Sequence, residues 1–93
     1  MRGVQMADIE IAARALILVA PADRKQRIAA LIEQAHLADK FRKRLGKPHP
    51  ELGSGTLMSA VLKWPIAPRP DVLTADFLDC LRTVLYQLDK TCR

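Results

Sequence analysis

Four side chains of this sequence have the chemistry to ligate a metal or take part in nucleophilic attack: His36, His49, Cys80 and Cys92. They are scattered, and none falls at the close spacing that structural zinc sites use, so no metal site is assigned. Ser54 follows His49 within one loop, and a hydroxyl nucleophile needs such a base within hydrogen-bond reach. Pro48 and Pro50 supply a simpler role for His49, because they stiffen the backbone on both sides and hold the ring against the end of a helix. The run Gly53, Ser54, Gly55, Thr56 resembles a fragment of a phosphate cradle leading into a helix N-terminus, where unpaired N–H groups attract anions. The lysine that would complete a nucleotide-binding loop is missing and no strand precedes the run. A small anion or phosphate ligand is therefore the most this loop suggests, with Ser54, Gly55 and Thr56 as contacts, and no catalytic residue or cofactor is assigned.

Just before that loop, five bases crowd together: Lys40, Arg42, Lys43, Arg44 and Lys47. Together with His49 they could lie against phosphates of a nucleic acid, whose affinity would then fall steeply with salt. The plainer reading is a solvated helix face with Glu33 pairing neighbouring bases, since no aromatic interleaving and no recognition-helix pattern is evident.

The elements that position these residues read as helices. From Ala7, the series Ile9, Ala12, Ala13, Leu16, Val19 follows helical spacing, with Asp8 and Glu10 at the end where the helix dipole favours acids. Ile11, Ala15 and Leu18 make its other side apolar as well, so this helix must be covered twice. The second cover is either another helix of the chain or a symmetry mate, which makes Ile11, Ala15 and Leu18 the candidate dimer seam. Met1 to Gln5 are expected to be a loose start.

Pro21 suits the first turn of a second helix, which should run from about Ala22 to Leu45 and stop at Gly46. Ile28, Leu31, Ala35, Ala38 and Leu45 follow steps of three and four on it, a heptad seam interrupted by Arg42. A short third helix is expected from Gly55 to Lys63. Trp64 then acts as a lid on the core, and Pro65 to Pro70 can only cross as extended chain. The fourth helix, capped by Asp71 or Thr74 and running to Lys90, should bury Phe77, Leu78, Leu81, Val84, Leu85 and Leu88. Cys80 borders that face as an unreactive thiol, and Tyr86 lies opposite between Arg82 and Lys90.

Composition agrees with this. The 93 residues are 49% apolar and 27% charged but only 4% aromatic, which suits a single helical domain over residues 1–93 with a modest aliphatic core. The net charge of +5 biases the surface toward anionic partners. Two cysteines and no secretory-type leader fit a cytoplasmic protein with reduced thiols, and the longest apolar run, Ala15 to Ala22, is too short to span a bilayer.

The stretch RLGKPHPELGSGTLMSA, with its GxxHPxxGxGxLM pattern from Gly46 to Met58, resembles a family of small uncharacterised alphaproteobacterial proteins across most of the chain. The resemblance implies a bacterial cytoplasmic protein of unassigned function and brings no catalytic residues with it. The expectation is thus an all-α bundle of about four helices, three long and one short, that binds another protein without catalysing a reaction. A homodimer through the first helix is expected, with nucleic acid as the alternative partner and no membrane.

Overall fold

The first helix, α1, spans Met6–Ile17 and is fixed at its start by Asp8, whose Oδ2 accepts a hydrogen bond from the Gln5 N–H at 2.7 Å. It stops short of Val19. The N–H groups of Leu18 and Val19 turn back to the carbonyls of Ala15 and Leu16, and the chain passes through a single 3-10 turn at Pro21–Asp23. The second helix, α2, spans Arg24–Leu45 and ends at Gly46, whose φ of 71° is the left-handed cap that glycine permits. The short α3, Leu57–Val61, starts at Thr56, whose hydroxyl accepts from the Ser59 N–H at 3.1 Å. The fourth, α4, spans Ala75–Thr91, and Thr74 rather than Asp71 caps it, accepting from the Phe77 N–H at 3.1 Å. This computed structural model describes residues 1–91, and among them there is no strand.

Alanines decide the packing. Ala12, Ala13 and Ala15 of α1 are buried with Leu16, and their small side chains let α4 and α3 approach α1 closely. α2 packs on the same two helices through Ile28, Leu31, Ile32 and Ala35, while α1 and α2 touch each other less. α3 is therefore wedged between α1 and α2, and its Leu57, Ala60 and Val61 are part of one continuous core with Val84 and Cys80 of α4.

The second apolar side of α1 is covered within the chain at Ala15 and in part at Ile11, while Leu18 stays exposed. The proline-rich connector runs along it: the Ala67 N–H donates to the Arg14 carbonyl at 3.0 Å, and Arg14 Nε returns a bond to the Ala67 carbonyl at 2.8 Å. Arg69 pairs with Glu10 further along the same helix. Trp64 and Pro65 border Ala15 at its other end.

Three expectations need correction. Met1 to Gln5 are pinned, not loose: the Arg2 N–H donates to the Gly55 carbonyl at 2.8 Å, and the Met1 amino group lies against His36 and Asp39. On α4, Leu78 and Leu85 are 40% and 50% exposed while Cys80 and Gln87 are buried. Phe77–Leu78 and Val84–Leu85 are neighbouring pairs about 100° apart around a helix, so only one of each faces the core. Trp64 is 40% exposed, and its ring lies 4.0 Å beneath the Arg27 guanidinium, which makes a cation–π contact at the surface.

Candidate functional site

The last two turns of α2 carry the basic cluster, and the loop after Gly46 folds back against them. His49 and Gly53 pair through both backbone bonds, at 2.9 and 3.2 Å, to close a tight turn. Inside it His49 Nδ1 accepts from the N–H groups of Glu51 at 3.0 Å and Leu52 at 2.9 Å. Nδ1 thus serves as an acceptor inside the turn. The imidazole meets the Phe41 ring edge-on, with centroids 4.6 Å apart. The Phe41 contact places the ring against the last turns of α2. Ser54 Oγ lies 3.5 Å from the Thr56 hydroxyl, and Nδ1 is committed to the turn, so the two do not form a nucleophile–base pair through that nitrogen.

The Gly53–Thr56 loop uses the N–H groups of Gly53 and Ser54 internally. Gly53 and Gly55 take φ of 96° and 98°, which bring the backbone against Ser59 and Asp39. The Ser54 N–H donates to Ser59 Oγ at 3.2 Å, the Ser59 N–H donates to Thr56 Oγ1, and the Met58 N–H donates to Asp8 Oδ1 at 3.0 Å. A carboxylate of the chain itself thus stands where an anionic ligand would sit. α3, five residues long, adds little dipole.

Asp39 is buried behind this loop. Its Oδ2 pairs with Lys43 Nζ at 3.1 Å and with the Met1 amino group at 3.4 Å. The Lys43 hydrogen bond, assisted by the amino group and opposed by burial, holds the carboxyl below the usual aspartate range. Lys43 is the engaged member of the basic cluster. Among the described residues, Lys40, Arg42, Arg44 and Lys47 meet no carboxylate within ion-pair distance.

These bases are not a purely polar surface. Lys40, Phe41, Lys43 and Arg44 line an open depression of about 650 Å³. Leu37 and Leu45 stand 46% and 53% exposed at steps of four from Phe41, in a row along α2. The sequence pattern puts Leu45 in one seam with Ile28, Leu31, Ala35 and Ala38; those four are buried, whereas Leu45, a full seven residues beyond Ala38 in the last turn of α2, is exposed.

The candidate dimer residues lie elsewhere. Ala15 is 4% exposed and Ile11 half-buried, on the face that the connector covers, and only Leu18, at 57%, is open. Three buried ionic groups had escaped the sequence reading: Asp8, Asp39 and Arg24. Arg24 Nε donates to the carbonyls of Leu16 at 2.9 Å and Val19 at 3.1 Å, and Nη1 reaches Asp76 at 2.8 Å and Asp79 at 3.2 Å. It ties the end of α1 to the start of α4. Cys80 is buried nearby, and burial pushes its thiol above the usual cysteine range, which makes it a poor nucleophile. Cys92 lies outside the described residues. Among the described residues no group of His, Cys, Asp and Glu is placed to hold a metal ion, and no helix is long and apolar enough to cross a membrane.

The family described as a domain of unknown function, DUF7742, matches residues 2–88, and the chain belongs to it. No curated protein and no solved structure matches the chain.

Proposed function

We propose that this member of the DUF7742 family is a bacterial, cytoplasmic adaptor or regulatory module that works by binding another protein and carries out no chemistry of its own. The alphaproteobacterial source suggested by the GxxHPxxGxGxLM pattern belongs to the same proposal. One observation carries it: Leu37 and Leu45 stand exposed in the same stretch of α2 as Lys40, Arg44 and Lys47, which meet no carboxylate among the described residues. Full burial of a leucine is worth roughly 1.5 to 3 kcal/mol, so a partner that covers both recovers part of that.

Nucleic acid is the second reading, and the clustering of Lys40, Arg42, Lys43, Arg44 and Lys47 beside His49 favours it. Phosphate contacts give no reason for the exposed leucines, which is why protein is preferred. The anion reading at Ser54, Gly55 and Thr56 is weakened because the Ser54 N–H is bonded to Ser59 and the Met58 N–H to the Asp8 carboxylate. Self-association through α1 would rest mainly on Leu18, with Trp64 nearby, because Ala15 is buried and Ile11 half-buried.

The test is capture on the tagged full-length chain from lysate of the native bacterium, with and without nuclease, comparing wild type with a folded Leu37→Glu variant. A protein retained after nuclease and lost with Leu37→Glu supports the reading. Capture abolished by nuclease favours nucleic acid instead. Light scattering of the purified chain decides whether the partner is a second copy.

A further inference from the structure

We infer that the outer face of α2 from Leu37 to Lys47 is a docking groove for an acidic amphipathic helix of another protein. The inference rests on the protein-binding reading and specifies its partner. Leu37, Phe41 and Leu45 form a row at steps of four, and such rows are the ridges along which one helix seats against another. The depression lined by Lys40, Phe41, Lys43 and Arg44, about 650 Å³, lies beside this row and offers room for a partner side chain. Lys40 and Arg44 stand one turn apart beside the row, and Lys47 follows just past the Gly46 cap.

Charge complementarity selects the occupant. Asp39 already neutralises Lys43, whereas Lys40, Arg44 and Lys47 meet no carboxylate among the described residues, so these three charges are left for the acids of a partner. The dipole at the C-terminal end of α2 accounts for bases in its last turn but not for two exposed leucines in the same row. A duplex nucleic acid would satisfy the bases and leave the leucines wet. A flat anionic bilayer would meet both but could not fill a depression. A helix with carboxylates flanking a leucine stripe satisfies all three features.

The experiment titrates the full chain into a fluorescently labelled synthetic peptide of Glu and Leu at helical spacing, read by anisotropy. A scrambled peptide of the same composition, a duplex DNA and anionic phospholipid vesicles are the comparison arms. The amphipathic peptide is expected to bind at least about tenfold more tightly than the scrambled one, and Lys40→Glu with Arg44→Glu should weaken it by at least about tenfold. Leu37→Ser and Leu45→Ser, each checked for retained helicity, should weaken it as well. Equal binding of the scrambled peptide, or indifference to both leucine substitutions, overturns the inference, as does preferential binding to DNA or vesicles. If a lysate protein is captured through Leu37 while the peptide does not bind, the partner chemistry is wrong and the protein-binding reading survives. If neither binds, both fall.

Discussion

Asp8 Oδ1 accepts a hydrogen bond from the Met58 N–H at 3.0 Å, across fifty residues of sequence, while its other oxygen holds the Gln5 N–H. One buried carboxylate thereby caps the N-termini of both α1 and α3.

Removing that carboxylate should cost about 2 kcal/mol in urea unfolding, as Asp8→Ala leaves two helix-start donors without their acceptor. Asp8→Asn, which keeps one acceptor oxygen, should cost less. Sulfate should stabilise Asp8→Ala more than it stabilises wild type, because only the variant has a vacant anion position at Met58. An equal sulfate response would show that the carboxylate is not occupying an anion site.

Gly55 is fixed by sterics rather than by a ligand. Its φ is 98°, and a Cβ there would stand 2.8 Å from the Asp39 Cα, a backbone atom that cannot step aside. Gly55→Ala should destabilise the fold by about 2 kcal/mol or more with no anion present. A bulky residue at this position consequently reports on folding, not on anion binding.

Arg24 is a clamp whose guanidinium is 4% exposed, while its partners Asp76 and Asp79 are about half exposed. Because those carboxylates can rehydrate, Arg24→Leu should cost less than breaking a fully buried pair, about 2 to 4 kcal/mol by urea unfolding. Most of that loss comes from the Leu16 and Val19 carbonyls at the end of α1. Arg24→Lys should recover only part of it, since an ammonium lacks the planar fork that serves carbonyls and carboxylates together.

Asp39 sets an acid limit. Its carboxyl is depressed in the folded chain, chiefly by Lys43, so the unfolded chain takes up the proton first as the pH falls. The stability it contributes is present above the ordinary aspartate range and is lost as the pH drops through the folded-state value. Unfolding free energy measured from neutral pH to pH about 3 should fall less steeply in Asp39→Asn than in wild type. Parallel curves for the two proteins would remove Asp39 from the acid response.

The elements of this fold are written locally, and so they were legible. Gly46 and Pro21 mark helix boundaries, and Thr56 and Thr74 cap helices, through interactions that span at most one turn. The sequence also showed that α1 is apolar on two sides, that His49 is braced between its prolines, and that bases gather at the end of α2. It could not show what covers the second side of α1. That depends on a connector meeting Arg14 from Ala67, and periodicity within one helix carries no record of such a distant neighbour. The same holds for Asp8, Arg24 and Asp39. Each reads in sequence as an ordinary surface charge, and each is buried because its partners arrive from far along the chain. On α4, adjacent pairs such as Phe77–Leu78 left the core-facing line undecided by tens of degrees, and packing against α1 resolved it. Helix limits thus follow from hydrogen bonds between near neighbours, whereas the burial of a charge or the exposure of a leucine is settled only when distant segments compete for the same space.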